Sequence, residues 1–209
     1  MTDTFTVYHT AEEHPDRTVP DPHQDAFSMT FFGFWVYLMT DSIIFSVLFL
    51  VHALLQNNTF GGPSGKDLFD LSTTLAETSF LLLSSFTCGL ALLAAVKGKV
   101  KQIAIWLGAT FLCGAGFLAL ELHEFAGLID AGHSWEQSAF LSSFFTLVGT
   151  HGFHVTVGLT WLTVMLGQLY FQGLNVDTFR RLVIFNVFWH FLDLIWVFLF
   201  TFVYLLGVV

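Results

Sequence analysis

The chain reads as an all-α, polytopic membrane protein, a bundle of five transmembrane helices, and three observations carry that reading. Of its 209 residues, 55% are hydrophobic and only 11% are charged, where ordinary soluble domains carry about 25% charge. Mean hydropathy is +0.70. Five apolar runs, at about 30–55, 71–97, 101–125, 138–170 and 182–207, each reach the roughly 20 residues a helix needs to cross a bilayer core.

Residues 1–28 are polar, rich in His, Asp and Pro, and lack the apolar core of a signal peptide. They read as a disordered cytoplasmic tail ahead of a five-helix domain at 29–209. The first run follows, with Asp41 about ten residues in, or roughly 15 Å deep at 1.5 Å per residue. After it comes the turn-rich connector NNTFGGPSGKDLFDL (57–71), then Ser72 or Thr73 as candidate caps for the second helix. The second and third runs are separated by a short basic connection. An acidic loop, GLIDAGHSWEQS (127–138), leads into the fourth run, which exceeds a minimal span and is expected to tilt or project beyond the lipid.

Basic residues set the expected orientation. Arg17, Lys97, Lys99, Lys101, Arg180 and Arg181 fall on one side and Lys66 alone on the other. Positive charge stays inside, so the N-terminus is expected in the cytoplasm and the C-terminus in the periplasm. The net charge of −9 argues against nucleic acid as a partner. Cys88 and Cys113 lie in separate apolar runs with no metal-binding spacing and read as small buried hydrophobes.

Ionisable groups inside a membrane are costly and mark functional positions by default. Asp41 has two readings, a buried carboxyl bonded to a neighbouring helix or a proton relay. Glu77 likewise reads as a packing acid, a lipid-headgroup partner or a proton site, and the hydroxyls that follow it suit close helix approach. Glu121 and Glu124 share a face at i, i+3, with His123 between them, and read as a solvated rim near the outer surface or as metal ligands. His151 and His154 share the i, i+3 spacing on the fourth helix, and His190 and Asp193 repeat it on the fifth. A His–carboxylate contact between those two helices would satisfy both. The competing reading is haem or metal ligation, which would make a redox protein of the chain; an axial haem ligand needs only one His, but no Glu-x-x-His pair of a di-iron bundle occurs. A small transporter would need paired broken helices; Gly149–Gly158 is one candidate without a mate.

Read in order, FGFWVYLMTD (32–41), GGPSGKDLF (61–69), ETSFLLLSS (77–85), GTHGFHVTVG (149–158) and WHFLDLIWVFLFTFVYL (189–205) resemble subunit III of the haem–copper respiratory oxidases. With five helices rather than seven and this outer loop, the chain is most similar to the bacterial cytochrome bo-type ubiquinol oxidase form. The resemblance implies an accessory subunit without cofactors of its own. It would pack on subunit I, which carries the haems and copper, contact other subunits, bind phospholipid and support proton uptake in the bacterial inner membrane. It implies no catalytic residue on this chain. By motif it places Glu77 on the family's intramembrane acid and Asp41, His151, His154, His190 and Asp193 in interhelix polar packing, with Glu121 and Glu124 less sharply matched.

Overall fold

The computed structural model describes residues 22–56, 58, 71–132, 135–205 and 207. They form five helices: α1 (Pro22–Leu55), α2 (Leu71–Val96), α3 (Val100–Asp130), α4 (Ala139–Gln172) and α5 (Val176–Leu199), the last continuing as a π-helical stretch, Phe200–Leu205. All five are long and apolar enough to cross a membrane, and no strand occurs among the described residues. The expected tail up to residue 21 and the GGPSGKDLF loop lie outside the described residues.

The helices overrun the apolar stretches that announce them. α1 begins at Pro22 inside the stretch expected as tail, α3 runs on to Asp130, and α5 starts at Val176, ahead of Arg180 and Arg181. Hydropathy ends where charge begins, whereas backbone hydrogen bonding continues through polar turns. Proline suits a first helical position because its fixed φ is already helical and its missing N–H has no partner there anyway. Ser72 and Thr73 fall within the first turn of α2 rather than ahead of it. The start of α4 is capped by Ser138, whose side chain accepts from Leu141 N at 3.1 Å. Two turns are short because glycine takes the left-handed conformation, Gly98 after α2 and Gly173 after α4, with φ of 67° and 69°.

α2 and α3 form the most closely packed hairpin, and α4 and α5 lie against them and against each other. α1 rests mainly on α4 and touches α5 less. Burial follows this plan: half of the most apolar window of α5 is buried, against 22% of that of α1. α5 is therefore a central helix and α1 a peripheral one. The interior is aromatic, with Phe117, Phe144, Phe185, Trp189, Trp196 and Tyr204 all at 2% exposure or less.

Candidate functional site

The intramembrane His–carboxylate contact joins α1 to α4. His154 Nε2 lies 3.2 Å from Asp41 Oδ1, and its Nδ1 lies 2.7 Å from the Thr150 carbonyl oxygen. A carbonyl only accepts, so Nδ1 carries a proton. The Nε2–Oδ1 contact then holds a further proton, on the imidazole as an ion pair or on the carboxyl as an O–H donor. Asp41 is 4% exposed, and its Oδ2 is buried without a partner. Phe45, one turn further along α1, sets its ring 5.4 Å from that of His154 and shields the pair.

This corrects the pairing expected between α4 and α5. His190 is exposed and its Nδ1 donates to Asn186 O of its own helix at 2.8 Å. Asp193 is buried at 8% exposure and neither histidine of α4 bonds it. The i, i+3 spacing leaves side chains about 60° apart around a helix. That turn directs His154 to α1 and His151 to the bundle axis.

His151 is fully buried, and neither ring nitrogen has a hydrogen-bond partner. Its ring is boxed by Phe117 at 5.9 Å, Trp196 at 5.4 Å and Phe45 at 6.4 Å.

A second polar group joins α2, α3 and the π-helical end of α5. Glu77 is fully buried and Glu121 is 2% exposed. Both Glu77 oxygens and Glu121 Oε2 lack partners. With Glu124 these carboxyls lie within one another's electrostatic reach. Tyr204 donates to Glu124 Oε2 at 3.2 Å. Glu121 thus departs from the solvated rim expected of it. The cause is the length of α3, which puts Glu121 nine residues, or about 13 Å, before the helix end. Gly152 of α4 makes room for it, since a Cβ there would sit 2.5 Å from Glu121 Oε1.

Hydroxyls of α2 receive the two tryptophans of WHFLDLIW. Trp189 Nε1 donates to Ser84 Oγ at 3.0 Å, and Trp196 Nε1 donates to Thr78 Oγ1 at 3.0 Å. The tryptophans stand two turns apart on one face, matched to an antiparallel α2. The six-membered ring of Trp189 passes between Gly158 of α4 and Gly114 of α3. A Cβ at Gly158 would meet Trp189 Cζ3 at 2.8 Å, and one at Gly114 would meet its Cη2 at 3.0 Å. At the other end of α1, His52 Nδ1 lies 3.0 Å from Ser143 Oγ. That hydroxyl is already donating to Phe140 O at 2.8 Å, so it accepts from the imidazole. Nearby, Phe140 N donates to Asn58 O at 3.4 Å. His52, Tyr204 and the tryptophan–hydroxyl pairs carry no cue in the sequence beyond their polarity inside apolar runs.

The histidines do not converge on one point. His154 is committed to Asp41, His151 to an aromatic box and His190 to the outer face of α5. Among the described residues, no group of three or more His, Cys, Asp and Glu side chains is placed to hold a metal ion.

Comparison with known proteins gives one result throughout. The family model described as cytochrome c oxidase subunit III matches residues 18–208. The cytochrome bo(3) ubiquinol oxidase subunit 3 of Pseudomonas aeruginosa is 49% identical over 199 residues, covering 95% of each chain. The protein of that name from Pseudomonas putida is 48% identical over 202 residues, 97% of this chain and 98% of that one. The cytochrome c oxidase subunit 3 of Bacillus sp. PS3 is 41% identical over 179 residues, 86% of each. Built as five apolar helices clasped by interhelix polar contacts and matched from end to end, this chain belongs to the cytochrome c oxidase subunit III family.

Proposed function

We propose that this chain is subunit III of a proton-pumping haem–copper ubiquinol oxidase. The complex oxidises ubiquinol and reduces oxygen to water, and this chain is its non-redox accessory subunit. The observation that carries the reading is near-half identity to ubiquinol oxidase subunits along 95% or more of both chains.

In this reading the chain packs on subunit I, which holds the haems and copper, and retains phospholipid at its surface. It sits in the bacterial inner membrane with the Lys97–Lys101 turn and the Arg180–Arg181 segment on the cytoplasmic side. Asp41–His154 acts as an interhelix polar tie, with His151 and Asp193 as buried packing residues. Glu77 is a proton- or lipid-associated acid in the outer half of the bundle. If Glu77→Gln left lipid retention and turnover lifetime unchanged, that role would be rejected.

The test is purification of the tagged chain from its native membrane in mild detergent, followed by a visible spectrum, mass spectrometry and an oxygen-uptake assay with ubiquinol. The expected result is a large haem-bearing partner, quinol oxidation, and a colourless chain once separated. A chain that purifies alone and keeps a Soret band would overturn the proposal.

A further inference from the structure

α5 turns one face outward between α1 and α2. His190 stands at the centre of this face. It is also near the middle of the membrane span Val176–Leu205, about 21 Å along the helix from Val176. Its imidazole is exposed. Most lipid-facing hydroxyls are satisfied within their own helix: Thr40, Ser46, Ser79, Thr146 and Thr160 each donate to the carbonyl four residues earlier. His190 is not satisfied in full. Its Nδ1–H is spent on Asn186 O, so the neutral ring presents Nε2 as an acceptor to whatever lies outside the chain.

Grooves flank this imidazole on both sides. One, between α1 and α5, is lined by Trp35, Ser42, Asn186 and His190. The other, between α2 and α5, is lined by Ser85, Gly89 and His190, and Ser85 Oγ has no hydrogen-bond partner. A separate groove, lined by Phe49, Gln56 and Phe198, lies further along α1 and α5.

An acyl chain carries no hydrogen-bond donor to the midplane, and a headgroup lies about half the bilayer away. An exposed acceptor within the span, with a groove on either side of it, fits a transmembrane helix bearing a donor side chain. Side chains of that kind join helices inside membranes. Resting on the reading of the chain as an oxidase subunit, we propose that the α1–α5–α2 face docks a transmembrane helix of another subunit of the complex, which donates a hydrogen bond to His190 Nε2.

The test places a photocrosslinking residue, benzoylphenylalanine, at Met39, Phe86 or Leu194 on this face. Controls carry it at Ile105, Leu112 or Val164 on α3 and α4, all more than half exposed. Each variant is made in the intact complex, and adducts are identified by mass spectrometry. The expected result is an adduct to another oxidase subunit from the first three positions and not from the controls. Subunit adducts from the controls alone, lipid or quinone adducts alone from the α5 face, or an adduct to a second copy of this chain would each overturn it. If no oxidase subunit copurifies with any variant, the underlying functional reading fails as well, which separates the two. In parallel, His190→Leu is expected to weaken retention of the chain in the diluted complex by about three- to tenfold, the size of one interhelical hydrogen bond in a membrane. His190→Gln, which keeps an acceptor, is expected to restore much of it. Equal retention in all three chains would overturn the proposal.

Discussion

Adding one methyl group at Gly158 is expected to destabilise the bundle although it improves the helix. Alanine in place of glycine in a helix interior is worth about 1 kcal/mol. At Gly158, however, the new Cβ lies 2.8 Å from Trp189 Cζ3 and 3.2 Å from Cε3, closer than ordinary van der Waals contact. The indole is 2% exposed, and its Nε1 is held on Ser84 Oγ. Overpacking of this kind costs about 1–3 kcal/mol, and dragging the indole off Ser84 adds about 1 kcal/mol. Set against the helix gain of about 1 kcal/mol, a net loss of about 1–3 kcal/mol follows. The assay is thermal unfolding in detergent read by reaction of Cys88, fully buried in the native chain, with a thiol reagent, in a Cys113→Ser background. Gly167→Ala, where a Cβ meets nothing within 4 Å, serves as control and is expected to raise the midpoint. Trp189→Phe is destabilising by itself, but it removes the ring edge that collides, so Gly158→Ala should cost nothing further in that background. Full additivity of the two changes, or a Gly158→Ala midpoint equal to that of Gly167→Ala, would refute the reasoning.

Three other perturbations test the polar contacts. Asp41→Asn keeps an N–H donor for His154 Nε2 and should be nearly neutral, whereas Asp41→Leu leaves the half-buried imidazole without its interhelix partner at about 1 kcal/mol; equal unfolding midpoints for the two would show that the pair contributes nothing. Gly152→Ala drives a Cβ into the Glu121 carboxyl and should cost about 1–3 kcal/mol, with Glu121→Ala relieving most of that cost in a double-mutant cycle and an absence of coupling counting against the contact. Ser143→Ala removes the acceptor of His52 Nδ1, and a loss of about 1 kcal/mol is expected, together with faster hydrogen exchange at the C-terminal end of α1; an unchanged exchange rate there would argue against the tie.

Helix number and type were legible in the sequence because length and hydropathy decide them, and lipid permits few alternatives to the helix. The ends were not legible, since polar turns such as Pro22–Ala26 and Asp177–Arg181 continue a helix without adding hydropathy. The polar set was legible as a set but not as pairs. Spacing places His151 and His154 on one side of α4, yet which neighbour each meets depends on where α1 and α5 lie around it. No periodicity in one helix encodes that. Glu121 illustrates the same limit, because its burial follows from the overrun of α3 and from a glycine 31 residues later in the chain.

The WHFLDLIW string shows how a motif that looks like chemistry divides its labour. Trp189 and Trp196 spend their N–H groups on α2 and their rings on α3 and α4. Those contacts fix the rotation of α5 about its own axis to within a fraction of a turn. Once that rotation is set, His190 has no choice of direction: it follows Trp189 by one residue, about 100° around the helix, and must face outward while Trp189 faces in. An outward imidazole within the span is a standing cost that a leucine at the same outward position would not carry. The clasp and the exposed acceptor are therefore one device, in which the buried tryptophans hold the histidine at a fixed depth and angle. Loosening the clasp, as with Trp189→Phe, should thus weaken docking at His190 even though no contacting residue has changed; retention in the complex measured alongside His190→Leu would reveal it, and full retention in the Trp189→Phe chain would show that the two are independent.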